Sequence, residues 1–327
     1  MESSLFWRVN DLEETGVNGM KKRIPYGLLM ILLLLSIIFC VGAEEENQNL
    51  LEVALYFRYA NTGFLGLERA YIDLSREETV ATLIVERLIE GPEASYSRLA
   101  GLFPRGTRLI SAQGDGRIVY VTLNGAFLGR PDGAPSDWES REDWKQEAAL
   151  RRRLAFQSIV LALTEGARFQ RVQLYIAEDD DAIPQRVAMT WFNPDEPDLD
   201  LRLAACGRDE TLLLTPRASL RAVLEGWRTR DWDAIWPFLR QNDEDAPASS
   251  GAFRREMEEK DTRLLTYEIS EGCVSLDGDT ATLVLNAKTR GTAGGDADIT
   301  RETIALRRED DNWVVEMNAL LTLMVRD

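Results

Sequence analysis

Three tryptophans and two aspartates crowd the stretch Trp227-Arg-Thr-Arg-Asp231-Trp232-Asp233-Ala-Ile-Trp236, and Tyr267 follows at the start of a strand-like run. A phenol and a carboxylate enclosed together could act as acid and base, because desolvation and charge push their proton affinities apart. The indoles could instead line a pocket for a small apolar ligand, each keeping one polar handle. Plainer roles compete: tryptophans fill cores, and Asp231 stands between two helical patterns, where its oxygen would cap a free backbone N–H. The candidate pocket is therefore Trp227, Trp232, Trp236 and Tyr267, with Asp231 or Asp233 as the carboxylate if chemistry occurs there.

Other reactive groups are scarce. Histidine is absent, which removes the commonest general base and transition-metal ligand. The three cysteines, at 40, 206 and 273, form no metal-binding spacing. No catalytic, cofactor-binding or metal residue is assigned on this basis. Cys206 and Cys273 could form a disulfide in an oxidising compartment, with a loop-closure effect of roughly 4 kcal/mol.

The elements that must position these groups are many. The chain has 327 residues, 45% apolar and 28% charged, enough for two domains and an extension. Its net charge of −17 repels phosphate backbones and anionic lipid headgroups, so nucleic acid is excluded as a partner.

Residues 26–43 form an uncharged apolar run between Lys21, Lys22, Arg23 and Glu44, Glu45, Glu46. Eighteen such residues suffice to span a bilayer, and the basic flank stays cytoplasmic. Residues 1–46 are then a cytoplasmic tail and membrane anchor, with the remainder outside the cytoplasmic membrane. Read from Met20, the same run resembles a signal peptide, cleaved near Ala43 to release a secreted or periplasmic protein. Lipidation at Cys40 is disfavoured by the bulky Phe39 before it.

From residue 47 the pattern is mixed. Residues 50–60 and 67–74 read as a hairpin. A helix follows Ser75, with Val80, Leu83, Ile84, Leu88 and Ile89 at helical spacing, and Gly91-Pro92 stop it. A second hairpin turns at residues 113–116, a helix is predicted over 144–166, and a strand over 171–177. The order ββαββαβ predicts one sheet with two helices on one face.

Leu88-Ile89-Glu90-Gly91-Pro92, Phe103-Pro104-Arg105-Gly106-Thr107-Arg108-Leu109, Val119-Tyr120-Val121-Thr122-Leu123-Asn124, Phe156-Gln157-Ser158-Ile159-Val160, Leu163-Thr164-Glu165 and Val172-Gln173-Leu174-Tyr175-Ile176 occur in that order. Together they resemble the GerMN (germane) domain. The resemblance implies an extracytoplasmic interaction domain of sporulation, germination and other envelope proteins, with no catalytic residues. Proteins of the sporulation type carry it in tandem, whereas one copy is visible here.

Residues 186–192 read as a further strand of this 47–192 domain, and the acidic, proline-bearing 193–209 as a linker. Over 210–327, Thr215-Pro216 starts a helix with Leu220, Val223, Leu224 and Trp227 on one face. Asp231 starts a second helix, residues 251–261 a third, and strands are predicted over 264–276, 279–290, 300–310 and 312–325. Helices followed by a curved antiparallel sheet, with Asp231-Trp232-Asp233 early and Asn312-Trp313-Val314-Val315 late, resemble the nuclear transport factor 2-like cone. That fold hosts binding modules, dimerisation modules and some enzymes, so it does not select a role.

The α+β chain is thus expected to be a non-enzymatic, membrane-tethered cell-envelope protein that scaffolds other envelope proteins. The alternative is a small-ligand carrier or sensor using the C-terminal cone.

Overall fold

The computed structural model describes residues 49–166, 168–240, 247–260, 262–270, 272–291 and 295–324. The predicted anchor over 26–43 lies outside them. No helix among the described residues is long and apolar enough to cross a membrane.

Alternation of apolar side chains sets the first hairpin, β1 (Leu50–Tyr59) against β2 (Leu65–Asp73), with Leu55 opposite Glu68 and Phe57 opposite Gly66. A short β3 (Leu99–Ala100) joins the other side of β1. Helix α1 (Val80–Glu90) starts later than Ser75 suggests, because Thr79 supplies the cap and accepts from the Thr82 N–H at 3.2 Å. Gly91, at φ +97°, ends it.

A second sheet runs β4 (Leu109–Asp115), β5 (Ile118–Asn124), β6 (Arg171–Ala177) and β7 (Gln185–Arg186). Strands β5 and β6 are parallel, bridged by the long helix α2 (Glu142–Thr164). The single sheet expected from the element order is therefore two sheets. Helix α1 packs on β1 and β4 and α2 on β1 and β6, so the helices serve both sheets. Apolar stripes make this possible: Leu154, Ile159, Leu161 and Leu163 of α2 are all buried.

The expected strand over 186–192 gives only the two residues of β7, after which Met189–Trp191 form a 3-10 turn. The predicted linker is also corrected. Its alternating Leu201-Arg-Leu203 sequence lies alongside β6 and β7: Leu203 donates to Val187 O at 2.8 Å, and Cys206 exchanges two 2.9 Å bonds with Val172. Leu203 is buried there, so the segment extends the second sheet.

The C-terminal half comprises α3 (Pro216–Thr229), α4 (Trp232–Ile235), α5 (Ser250–Lys260), a sheet ordered β12-β11-β10-β8 with β9 beside β10, and α6 (Met317–Met324). These strands are β8 (Arg263–Ile269), β9 (Cys273–Val274), β10 (Thr280–Arg290), β11 (Asp296–Glu309) and β12 (Asn312–Val315). Register shifts in β10 near Leu285–Ala287 and Lys288–Thr289 bend the sheet around the helices. The last predicted strand is shorter than expected. After β12 the chain turns helical, because Met317, Leu320, Leu323 and Met324 share one buried face.

The two halves share one hydrophobic core, and the described residues from Leu50 onward form one compact unit. Tyr59 and Phe238 place their rings 5.5 Å apart, and the Tyr59 hydroxyl donates to Pro237 O at 2.7 Å. The Asn312 carboxamide accepts from Leu67 N at 2.8 Å and donates to Leu67 O at 3.0 Å, completing the outer edge of β2 as a peptide group would. Gly66 makes room for it, since a Cβ there would lie 2.4 Å from Asn312 Oδ1. Glu309 binds Arg98 and Arg240, each at 3.2 Å, across the same junction.

Candidate functional site

The tryptophans do not form the expected pocket. Trp227 is fully buried and donates to Thr262 O at 2.9 Å. Trp232 meets Phe253 edge-on at 6.4 Å, and Trp236 lies 5.6 Å from the same ring. Leu264, Leu283, Leu285, Ile299, Ile304 and Leu306 of the curved sheet are buried as well. Trp232 and Trp236 thus pack on Phe253, and Trp227 is a buried core indole held by its own hydrogen bond.

Tyr267 bonds elsewhere. Its hydroxyl donates to Glu225, and burial together with that carboxylate pushes its pKa up to about 12. The hydrogen bonds from Tyr267 and Arg228 hold Glu225 below the usual carboxylate range. Asp231 caps α4 by accepting from Ala234 N at 3.1 Å, and Asp233 pairs with Arg254. Each carboxylate therefore has a local partner, and Tyr267 is not brought to Asp231 or Asp233 as an acid–base pair.

Cys206 and Cys273 are free thiols. One stands beside β6 in the second sheet and the other on β9 in the C-terminal sheet, so different sheets hold them and no disulfide joins them. Burial pushes the Cys206 thiol up, making it a poor nucleophile. Among the described residues no group of three or more Cys, Asp and Glu side chains is arranged to hold a metal ion.

A polar cavity of about 340 Å³ lies instead where the first two sequence motifs meet. Ile89, Glu90 and Gly91 close one side, residues 101–107 another, and Arg151 and Arg152 of α2 the back. The Pro104–Thr107 turn is fixed by Thr107, whose N–H and hydroxyl both donate to Pro104 O, at 3.1 and 2.7 Å. Asn124 clamps the same turn: its Nδ2 donates to Gly106 O at 2.9 Å and its Oδ1 accepts from Arg108 N at 3.0 Å. Positive φ at Gly106 completes the loop. Glu68 anchors the neighbouring segment by accepting from Arg87 at 2.7 Å and Glu93 N at 2.9 Å, while burial raises its pKa.

Arg152 is the unusual member. It is 5% exposed and has no carboxylate partner among the described residues. Its guanidinium lies 4.7 Å from the Trp191 ring and 5.4 Å from that of Trp138, and donates to Leu128 O at 2.9 Å. Burial pushes its pKa down to about 10, leaving it a cation at neutral pH, and its Nε is buried without a hydrogen-bond partner. Neighbouring Arg151 pairs with Glu147 at 2.6 Å. Burial opposes ionisation of Glu147, but Arg151 and Arg58 hold its pKa below the usual range. The arrangement clamps the loops around Leu128 and Trp191 to α2 and keeps a buried cation that feels Glu139 without an ion pair to it; it offers no nucleophile paired with a base.

Sequence reasoning passed over Arg152. The available signal was its place on the stripe Ala148, Arg152, Ala155, Ile159, where every other member is small or apolar and all four are buried.

A larger, more apolar cleft of about 980 Å³ lies between the start of β1, the start of α1, the far end of β4 and the end of α2.

Residues 54–180 match the Germane family, described as sporulation and spore germination. Among solved structures, the tandem GerMN domains of the sporulation protein GerM from Bacillus subtilis are 14% identical, over 53% of this chain and 50% of that one, with a TM-score of 0.34. This chain thus spans about half the length of that structure. The first GerMN domain of the same protein is 13% identical, covering 46% of this chain and 97% of that one, with a TM-score of 0.25. A structure named for a calcium/calmodulin-dependent protein kinase type II association domain, from Thiobacillus denitrificans, is 16% identical over 31% of this chain and 89% of that one, with a TM-score of 0.23. No curated protein matches the chain.

Proposed function

We propose that the chain is a non-enzymatic cell-envelope protein, tethered to the cytoplasmic membrane through residues 26–43, whose body on the outer face binds other envelope proteins. The Germane match over 54–180 carries this reading, since that family is linked to sporulation and germination. The apolar run between a basic and an acidic flank supports the tether. The packing of the indoles favours this reading over a carrier with its ligand at Trp227, Trp232, Trp236 and Tyr267.

Protease added to intact spheroplasts is expected to digest the body, and cross-linking in the native envelope is expected to give discrete adducts with other envelope proteins. Protection from the protease would overturn the topology. A body that is digested but gives no adducts would overturn the scaffold role.

A further inference from the structure

Three of the ten large apolar side chains exposed among the described residues gather at one place: Leu51 (37%), Leu74 (41%) and Val80 (37%). They line the 980 Å³ cleft, whose floor includes Ala81, Ile84 and Leu163. Its size is at the upper end of ordinary ligand sites and its lining is mainly apolar. Exposed aliphatic groups clustered at a cleft mark a surface that is covered in use, because isolated apolar residues need no such grouping.

Six polar side chains line the cleft: Glu52, Glu78, Thr79, Gln113, Glu165 and Arg168. Glu52 accepts from Arg69 at 2.8 Å and Glu78 from Arg76 at 3.1 Å. Glu165 already accepts from Tyr56 at 3.0 Å and Arg208 at 2.8 Å. Arg168 lies over the Phe169 ring at 5.2 Å and has no ion pair among the described residues. Each carboxylate at the cleft thus has its own arginine, and beside the hydrocarbon floor one guanidinium lacks an ion pair, the complement of an apolar chain carrying a single anionic head.

We propose that this cleft binds the hydrocarbon chain of a long-chain fatty acid, with the carboxylate at Arg168. The source of the ligand rests on the tethered reading above. Leu50 follows Ala43 by seven residues (50 minus 43), a reach of at most about 25 Å when extended, so the tether keeps the cleft near the bilayer.

The test uses the full chain in phosphatidylcholine nanodiscs with a diazirine-bearing palmitic acid, irradiated and mapped by peptide mass spectrometry. Label is expected in the peptides containing residues 50–54, 80–84 and 162–169, and unlabelled palmitate should displace it. Arg168→Glu should weaken this labelling about tenfold, the scale of one charge-assisted hydrogen bond, while Leu51→Glu should abolish it; circular dichroism confirms that both variants fold. Label spread evenly over the surface, label confined to residues 26–43, or labelling unchanged by Arg168→Glu would each overturn the proposal. Both faces of a nanodisc are open, so the labelling outcome does not depend on orientation in the cell. A failed protease test would sink the topology alone.

Discussion

Two groups of tryptophans do opposite work in this molecule. In the C-terminal half, Trp232 and Trp236 pack on Phe253, and the fully buried Trp227 donates to Thr262 O, so the indoles fill the core beside the curved sheet. In the N-terminal half, Trp138 and Trp191 lie close to Arg152 and hold a charge in the interior. The side-chain type is the same, and what stands opposite it differs. Aromatic clustering along a sequence therefore does not locate a pocket. A cation on an otherwise apolar helical stripe is the better indicator of an unusual site.

The contrast breaks most visibly at Trp227. Trp227→Ala should cost about 3–5 kcal/mol, as for other buried aromatic truncations, measured by chemical denaturation. A loss below about 1 kcal/mol would mean that the cone has room to collapse or holds solvent, which would revive the pocket reading. Asn312→Ala comes next, at about 1–3 kcal/mol, because it leaves the Leu67 N–H and C=O without partners. If the halves melt separately in that variant, their union depends on this carboxamide; a single cooperative transition would show that the aromatic contacts suffice.

Trp191→Ala should cost less than Trp227→Ala, about 1–2 kcal/mol, since it removes one aromatic partner of Arg152 and leaves the bond to Leu128 O. Its signature should be faster hydrogen exchange at the Arg152 guanidinium, read by NMR; unchanged exchange would deny the ring its role. Asp231→Asn should change stability by less than about 0.5 kcal/mol, because asparagine caps a helix nearly as well. Loss of cellular activity without loss of melting temperature would return Asp231 to the list of functional groups.

At neutral pH the smallest effect is none at all. Tyr267 and Tyr56 are pushed up to about 12 from an ordinary 10, each by burial and a neighbouring carboxylate. The folded state then holds these protons more tightly, so the stabilisation is complete below pH 10 and is lost as pH rises through 12. Tyr267→Phe should flatten that decline in a denaturation series; an equally steep decline would assign it to other groups.

Much of the fold was legible. The first hairpin, α1 with its Gly91 stop, α3 from Thr215-Pro216 and the Asp231 cap all follow local rules of periodicity and capping. What escaped depended on distant partners. The 193–209 segment is acidic and proline-bearing, yet Leu203 and Cys206 find acceptors at Val187 just after β7 and at Val172 on β6 that no local pattern announces. The division into two sheets is set by long-range strand pairing, β1 with β2 and β3 and β5 with β4 and β6, and the helical end at Met317–Met324 by burial of four side chains after a four-residue strand. The cavity at the Pro104–Thr107 turn needed Arg152 from a helix over forty positions later, so its motif was readable as architecture while its charge was not.

Asn312 also sets a clock. It completes the edge of β2 from 245 residues away, and at a synthesis rate of roughly 5–20 residues per second that distance is on the order of 10–50 s. Through that interval Leu67 presents an open peptide edge, the kind of surface on which other extended chains pair. A hairpin formed before Asn312 is made leaves that edge open, and only the last part of the chain supplies its cover.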